Sequence, residues 1–163
     1  MGKKKRLRRL SARCERSFPR LAKSGYHVTS EATSSYNCIA YAAGDQSKWW
    51  EPPGLGFPTY WPEKATKGYS LDALMSAFET LGYRECPDGE REAGYEKVAL
   101  YADRQGGWTH AAKQCANGSW SSKLGTLEDI QHSTVEAIES PTYGMATKYM
   151  RRKLSRSKPT SSE

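Results

Sequence analysis

A cysteine that opens a helix and a histidine that opens a later strand are the two residues of this chain best suited to chemistry. Cys38 sits in Ser35-Tyr36-Asn37-Cys38-Ile39-Ala40-Tyr41-Ala42-Ala43-Gly44. That run reads as a short helix, with Ser34 or Ser35 as N-cap and Gly44 just past its end. In a first helical turn, unpaired N–H groups and the helix dipole favour an anion, so a thiol there ionises more easily and becomes nucleophilic. His110 heads the next plausible partner segment, where a neutral imidazole can take a thiol proton. The pair suggests a thiol hydrolase. The bland alternative is that Cys38 is a small buried apolar residue and His110 an ordinary strand histidine.

The elements that must position this pair are legible as patterns. Ser70 to Leu81 predicts a capped helix, with Leu71, Leu74, Met75, Phe78 and Leu81 on one stripe. Glu96 to Asp103 predicts a strand. Thr109 to Cys115 and Ser119 to Leu124 predict a hairpin through Asn117-Gly118, because a type I′ turn needs positive φ at both positions. A two-residue loop places Gln114 opposite Ser121 and Ala112 opposite Lys123. His110, Ala112, Gln114, Ser121 and Lys123 then share a face; a longer loop shifts the register by one and brings Ser122 to the His110 face. Thr126 to Ile138 reads as a second helix with a capping box, and Met145 to Leu154 as a basic helix leaving the domain. Between them in importance is Lys48 to Pro62, a segment with four prolines and three tryptophans. Such a loop either covers the core or lines a groove beside Cys38.

Charge divides the chain. Residues 1–25 carry net +9, residues 148–163 carry net +5, and residues 26–147 carry net −7. The pI of about 9.2 therefore describes the ends. The acidic body argues against a nucleic-acid groove within it. The organisation expected is a basic disordered arm over 1–25, an α+β domain over 26–147 and a basic tail over 148–163. The basic ends can meet phosphate or an anionic surface, and an adaptor held to nucleic acid by them is one function class to weigh. No secretory signal and no membrane-length apolar run is present in the sequence, so a cytoplasmic protein with reduced thiols is expected. Cys14, Cys38, Cys86 and Cys115 form no CxxC pair. His132 lies one helical turn from Asp129 in the helical reading but lacks a third ligand, so neither metal nor cofactor is expected.

The strings Tyr36-Asn37-Cys38-Ile39-Ala40-Tyr41-Ala42, Thr109-His110-Ala111-Ala112-Lys113-Gln114 and Trp120-Ser121-Ser122-Lys123-Leu124-Gly125 resemble a bacterial family of uncharacterised domains. The order of elements resembles the papain-like fold in its NlpC-type and CHAP-type form: a helix packed on a small antiparallel sheet. That resemblance implies Cys38 as nucleophile and His110 as base, acting on a peptide or amide substrate. It implies the Cys38 backbone N–H and Asn37 as oxyanion donors. The family's His, Asn, Gln, Asp or Glu orienter is missing from the following strand, which offers Ser121, Ser122 and Lys123; Gln114 is the other candidate. A cation at Lys123 beside His110 would lower the imidazole's pKa. The competing reading is a non-catalytic module on the same scaffold, binding a peptide or small ligand through Trp49, Trp50, Trp61 and Trp108, with Cys38 unreactive.

Overall fold

The computed structural model describes residues 8–155. The basic run from Lys3 to Leu7 and the Ser/Lys-rich end over 156–163 lie outside the described residues. Helices α1 (Ala12–Ser17) and α2 (Pro19–Ser24) lead into strand β1 (Tyr26–Val28). Helix α3 (Cys38–Ala43), the aromatic loop and helix α4 (Leu71–Glu79) follow. The rest is β2 (Arg84–Cys86), β3 (Tyr95–Ala102), β4 (Trp108–Gln114), β5 (Trp120–Lys123), β6 (Asp129–His132), a 3-10 turn (Val135–Ile138) and β7 (Met145–Lys153).

Among the described residues, seven strands form one antiparallel sheet in the order β1-β6-β5-β4-β3-β7-β2. Both of its faces are covered. On one, α3, α4 and the aromatic loop bury Ile39, Leu74 and Phe78 against Val98, Leu100, Ala111 and Met150. On the other, α1, α2 and the 3-10 turn bury Cys14, Phe18, Leu21 and Ile138 against Ala99, Tyr101, Ala112 and Ile130. Alternating residues of β3 and β4 thus serve opposite cores, as the period of two in a strand demands. Each large apolar side chain so buried contributes about 1.5–3 kcal/mol.

This architecture corrects the papain-like expectation. The protein is β-rich, with short helices flanking a long sheet, rather than a helix packed on a small sheet. Two segments that read as helices account for much of the difference. Residues 124–128 are a tight turn, closed by Leu127 N–H donating to Leu124 O at 2.8 Å, and residues 129–132 are strand β6 between β1 and β5. The spacing of Leu127 and Ile130 imitates a helical stripe, but Leu127 is exposed and Ile130 buried. Residues 145–153 are the strand that joins β3 to β2, and the arginines that read as a departing basic face are paired: Arg151 with Glu92 and Arg152 with Glu96. Gly144 admits this strand. Its φ is +67°, and a Cβ would stand 2.0 Å from the Ala102 carbonyl oxygen.

The N-terminal arm is also partly folded. Ser11 caps α1 by accepting from Cys14 N–H at 3.1 Å, and Leu10, Cys14, Phe18 and Leu21 are buried. Their spacing of three to four residues is a helical stripe within a basic sequence. No helix among the described residues is long and apolar enough to cross a membrane.

Candidate functional site

The Cys38 helix is set by its cap. Asn37, not Ser34 or Ser35, is the N-cap: its Oδ1 accepts from Ala40 N–H at 3.1 Å and from Trp50 N–H at 3.0 Å. Its Nδ2 donates to Trp50 O at 2.7 Å. Both ends of the Asn37 amide are thus engaged in joining α3 to the aromatic loop, and neither faces an open oxyanion position. Gly44 closes α3 in the left-handed conformation at φ +88°. Cys38 is the first helical residue and lies in the core against β4. Burial pushes its thiol up to about 12, outweighing the opposite pull of the Ala111, Ile39 and Cys38 backbone N–H groups. At this helix terminus, desolvation defeats the dipole.

His110 belongs to the other face of the sheet. The β4–β5 loop is three residues long: Cys115 N–H donates to Ser119 O at 2.7 Å, and Gly118 takes φ +89°. Lys113 therefore faces Ser121 and Gln114 faces Trp120, one residue from the two-residue register. This is the longer-loop alternative, and it puts Ser122 with His110. His110 stacks on Tyr143 at 4.1 Å between ring centroids and meets the Tyr101 ring edge at 5.2 Å. Both tyrosines belong to the core under α1 and α2, whereas Cys38 belongs to the core under α3. The structure does not bring Cys38 and His110 together as a thiol–imidazole pair.

What His110 does have is a relay. Its Nε2 lies 3.0 Å from Ser122 Oγ, which lies 2.8 Å from His132 Nε2, and His132 Nδ1 lies 2.8 Å from Thr134 O. The carbonyl can only accept, so His132 carries its proton on Nδ1 and Nε2 accepts from the Ser122 hydroxyl. Ser122 then accepts from His110 Nε2–H, leaving His110 Nδ1 as a bare lone pair. That nitrogen is buried and has no partner among the described residues. Burial lowers His110 well below the usual histidine value, helped by His132, and lowers His132 to about 4. Both rings are neutral at pH 7. Ser122 is the partner that the longer-loop register offered, and His132 is the residue that sequence reasoning missed, because it lies on a strand that reads as helix.

The remaining candidates are dispersed. Gln114 donates to Gly89 O at 2.7 Å, away from the relay. Ser121 bonds the Tyr41 hydroxyl of α3 and donates to Ile130 O at 3.3 Å. Lys123 is fully buried on the α3 side; it donates to Thr33 O at 2.8 Å and to Leu127 O, and lies 4.0 Å from Asp129 Oδ1. The Tyr36 hydroxyl donates to Asp129 Oδ2 at 2.7 Å, and the Lys123 ammonium sits 5.0 Å over the Tyr36 ring. Burial lowers the lysine's pKa while Asp129 and Glu128 raise it. Lys123 is a buried structural cation, not a neighbour of His110. Among the described residues, no group of three His, Cys, Asp or Glu is placed to hold a metal ion.

The aromatic loop separates into core and surface. Trp50 and Trp61 are buried; Trp49 and Trp108 are half-buried. Every one of their indole N–H groups is satisfied internally, by Glu51, Asp45, Thr66 O and Gly68 O for Trp49, Trp50, Trp61 and Trp108 in that order. Trp61, Trp108 and Tyr69 form a continuous stack with centroids 5.8 and 5.2 Å apart and planes within 10° and 23°. Tyr69 ends this stack and is 46% exposed. Leu55, Phe57 and Tyr60 are also exposed on the loop.

The two-face arrangement predicts an inert thiol. Iodoacetamide applied to the folded protein from pH 4 to 9, read by mass spectrometry, is expected to modify the half-buried Cys115 well before Cys38, with no change in that order in His110→Phe. A fast Cys38 reaction near pH 6 that disappears in His110→Phe would show that the pair forms after all.

No curated protein and no solved structure matches the chain. Nothing among the matches supports the papain-like resemblance. The model of a family described as a domain of unknown function, DUF7689, matches residues 27–151, which span β1 through most of β7 and include α3, the relay and the aromatic loop. The chain belongs to that family.

Proposed function

We propose that the domain is a non-catalytic binding module whose ligand surface is the aromatic loop between Trp49 and Tyr69. The observation that carries this reading is the exposure of Leu55, Phe57, Tyr60 and Tyr69 together on one braced loop. Bracing is extensive. Glu51 N–H donates to Tyr60 O at 2.9 Å and Tyr60 N–H to Trp49 O at 2.8 Å, while the indole bonds tie the loop to itself and to Asp45 and the Asn37 cap ties it to α3. A rigid aromatic surface offers large contact area at little entropic cost on binding. Exposed apolar groups gathered on one loop mark an interaction site more than scattered ones do.

The cysteine hydrolase reading has a nucleophile and a base in the sequence, but Cys38 sits under α3 and His110 under α1 and α2. The placement of the two cores therefore favours binding over catalysis. The experiment is a screen of peptides and oligosaccharides against the full chain by intrinsic tryptophan fluorescence. Ligands are expected whose affinity falls about tenfold or more in Tyr69→Ala or Phe57→Ala, as for anchor aromatics elsewhere, and is unchanged in Cys38→Ser. Binding that survives both loop substitutions would overturn the proposal, as would turnover of a peptide or amide that is lost in Cys38→Ser.

A further inference from the structure

The fold repeats one small recognition unit. Arg151 lies with its guanidinium carbon 4.5 Å from the centre of the Tyr95 ring and bonds Glu92. Arg152 lies 4.6 Å from the centre of the Tyr83 ring and bonds Glu96. Each is a planar cation laid on a tyrosine face and held by a carboxylate, the geometry that suits a guanidinium best. Lysines make the looser version: Lys48 lies 4.5 Å over Tyr60, and Lys123 lies over Tyr36 near Asp129.

Tyr69 and Glu51 bring the same two groups together without a cation, joined here through the tyrosine hydroxyl. The Tyr69 hydroxyl donates to Glu51 Oε2 at 2.7 Å, and Trp49 Nε1 donates to Glu51 Oε1 at 3.0 Å. These two donors fix the carboxylate beside the ring, and each of its oxygens keeps a further lone pair for an incoming N–H. Trp108 covers one face of Tyr69, and no Lys or Arg among the described residues lies over the ring. We propose that Tyr69 and Glu51 receive an arginine side chain from a basic peptide. The inference rests on the aromatic loop being the ligand surface and names the chemistry of its ligand.

Two features favour this occupant over an uncharged peptide. Recognition of a neutral backbone needs free donors, and the loop's three indole N–H groups and that of Trp108 are already committed inside the protein. What the surface still offers is a ring face and carboxylate lone pairs, which call for a flat, donor-rich cation. The second feature is local charge: the Glu51 carboxylate attracts a cation at contact, while the chain as a whole carries net +7 and adds no long-range pull.

The test is calorimetric titration of the full chain, at low salt, with an acetylated and amidated Gly-Arg-Gly-Arg-Gly peptide. Parallel titrations use the lysine and citrulline versions. The arginine peptide is expected to bind more tightly than the lysine one, and the citrulline peptide not to bind. Glu51→Gln and Tyr69→Leu are each expected to weaken the arginine peptide about tenfold; the glutamine oxygen can keep the Trp49 bond while its amide N–H donates to the Tyr69 hydroxyl. Equal affinity in the wild type and both variants overturns the proposal, as does absence of binding at millimolar peptide. If the arginine peptide fails but another ligand depends on Tyr69 and Phe57, the arginine assignment falls and the loop's binding role stands. If every ligand binds independently of both residues, both fall.

Discussion

Lys123→Ala is expected to destabilise the folded protein by about 3–5 kcal/mol, the range seen when one member of a buried ion pair is removed. The lysine is fully buried and its partner Asp129 is nearly so, with Oδ1 making no hydrogen bond among the described residues. Lys123 at 4.0 Å is therefore the compensation for that oxygen, and Tyr36 serves only Oδ2. Without the ammonium, Asp129 must stay charged in the core or take up a proton, and both cost free energy. The lysine also ties together three distant stretches of chain, through Thr33 O, Leu127 O and Asp129. Urea unfolding at pH 7 checks the expectation through the midpoint at constant m-value. The double change Lys123→Met with Asp129→Leu is expected to recover much of the loss, since no orphan charge remains. A Lys123→Ala midpoint within error of wild type would mean that the pair contributes nothing.

The second large effect is a loss of stability in mild acid. His132 is held neutral in the fold, lowered to about 4 mainly by burial, against an ordinary value near 6.5 in the unfolded chain. A base whose folded pKa is depressed contributes stability that is fully present above pH 6.5 and is lost as pH falls towards the folded value. Between pH 6.5 and pH 5, where few carboxylates titrate, the loss from His132 is about 2 kcal/mol. His110, also buried and lowered, adds in the same direction. Protonation would in addition reverse the relay, because a protonated His132 cannot accept from Ser122. The urea midpoint is expected to fall steeply across this window in wild type and less steeply in His132→Gln. An equal slope in the two proteins would remove His132 as the cause.

How far the sequence carried depended on whether a residue's role was local. The α4 helix was legible because Ser70, the apolar stripe and Gly82 all act within a dozen residues. The strand containing Val98 to Tyr101 was legible as a continuous apolar run, and the one containing His110 to Gln114 through the Asn117-Gly118 turn signal that follows it. The segment over Asp129–His132 was not: four residues bear too little pattern, and only pairing with β1 and β5 makes them a strand. Met145–Lys153 read as a basic helix because its charges look solvated until Glu92 and Glu96 arrive from elsewhere in the chain. For the candidate site, residue types pointed to Cys38 and His110, but the faces they occupy depend on the hairpin register. One extra loop residue exchanged Ser121 for Ser122 beside the histidine. The tryptophans drew attention to the loop, but the split between its core and its surface was not legible: Trp50 and Trp61 are in the core, while Phe57, Tyr60 and Tyr69 are on the surface.

The order β1-β6-β5-β4-β3-β7-β2 also constrains how the chain can be made. Among the described residues, Tyr26–Val28 has its one sheet neighbour in Ile130–His132, and Arg84–Cys86 has its own in Tyr149–Arg151. Both outer strands are thus translated long before the strands that receive them. At ordinary elongation rates the first waits about 5–20 s for its partner. During that interval α1 and α2, with Phe18 and Leu21, have no sheet to cover. Such distant pairing belongs with slow folding, since loop closure must be met before the contacts reward it. Until the sheet is made, the apolar faces of α1 and α2 stand open, and the net +9 of residues 1–25 opposes their association with copies of the same segment.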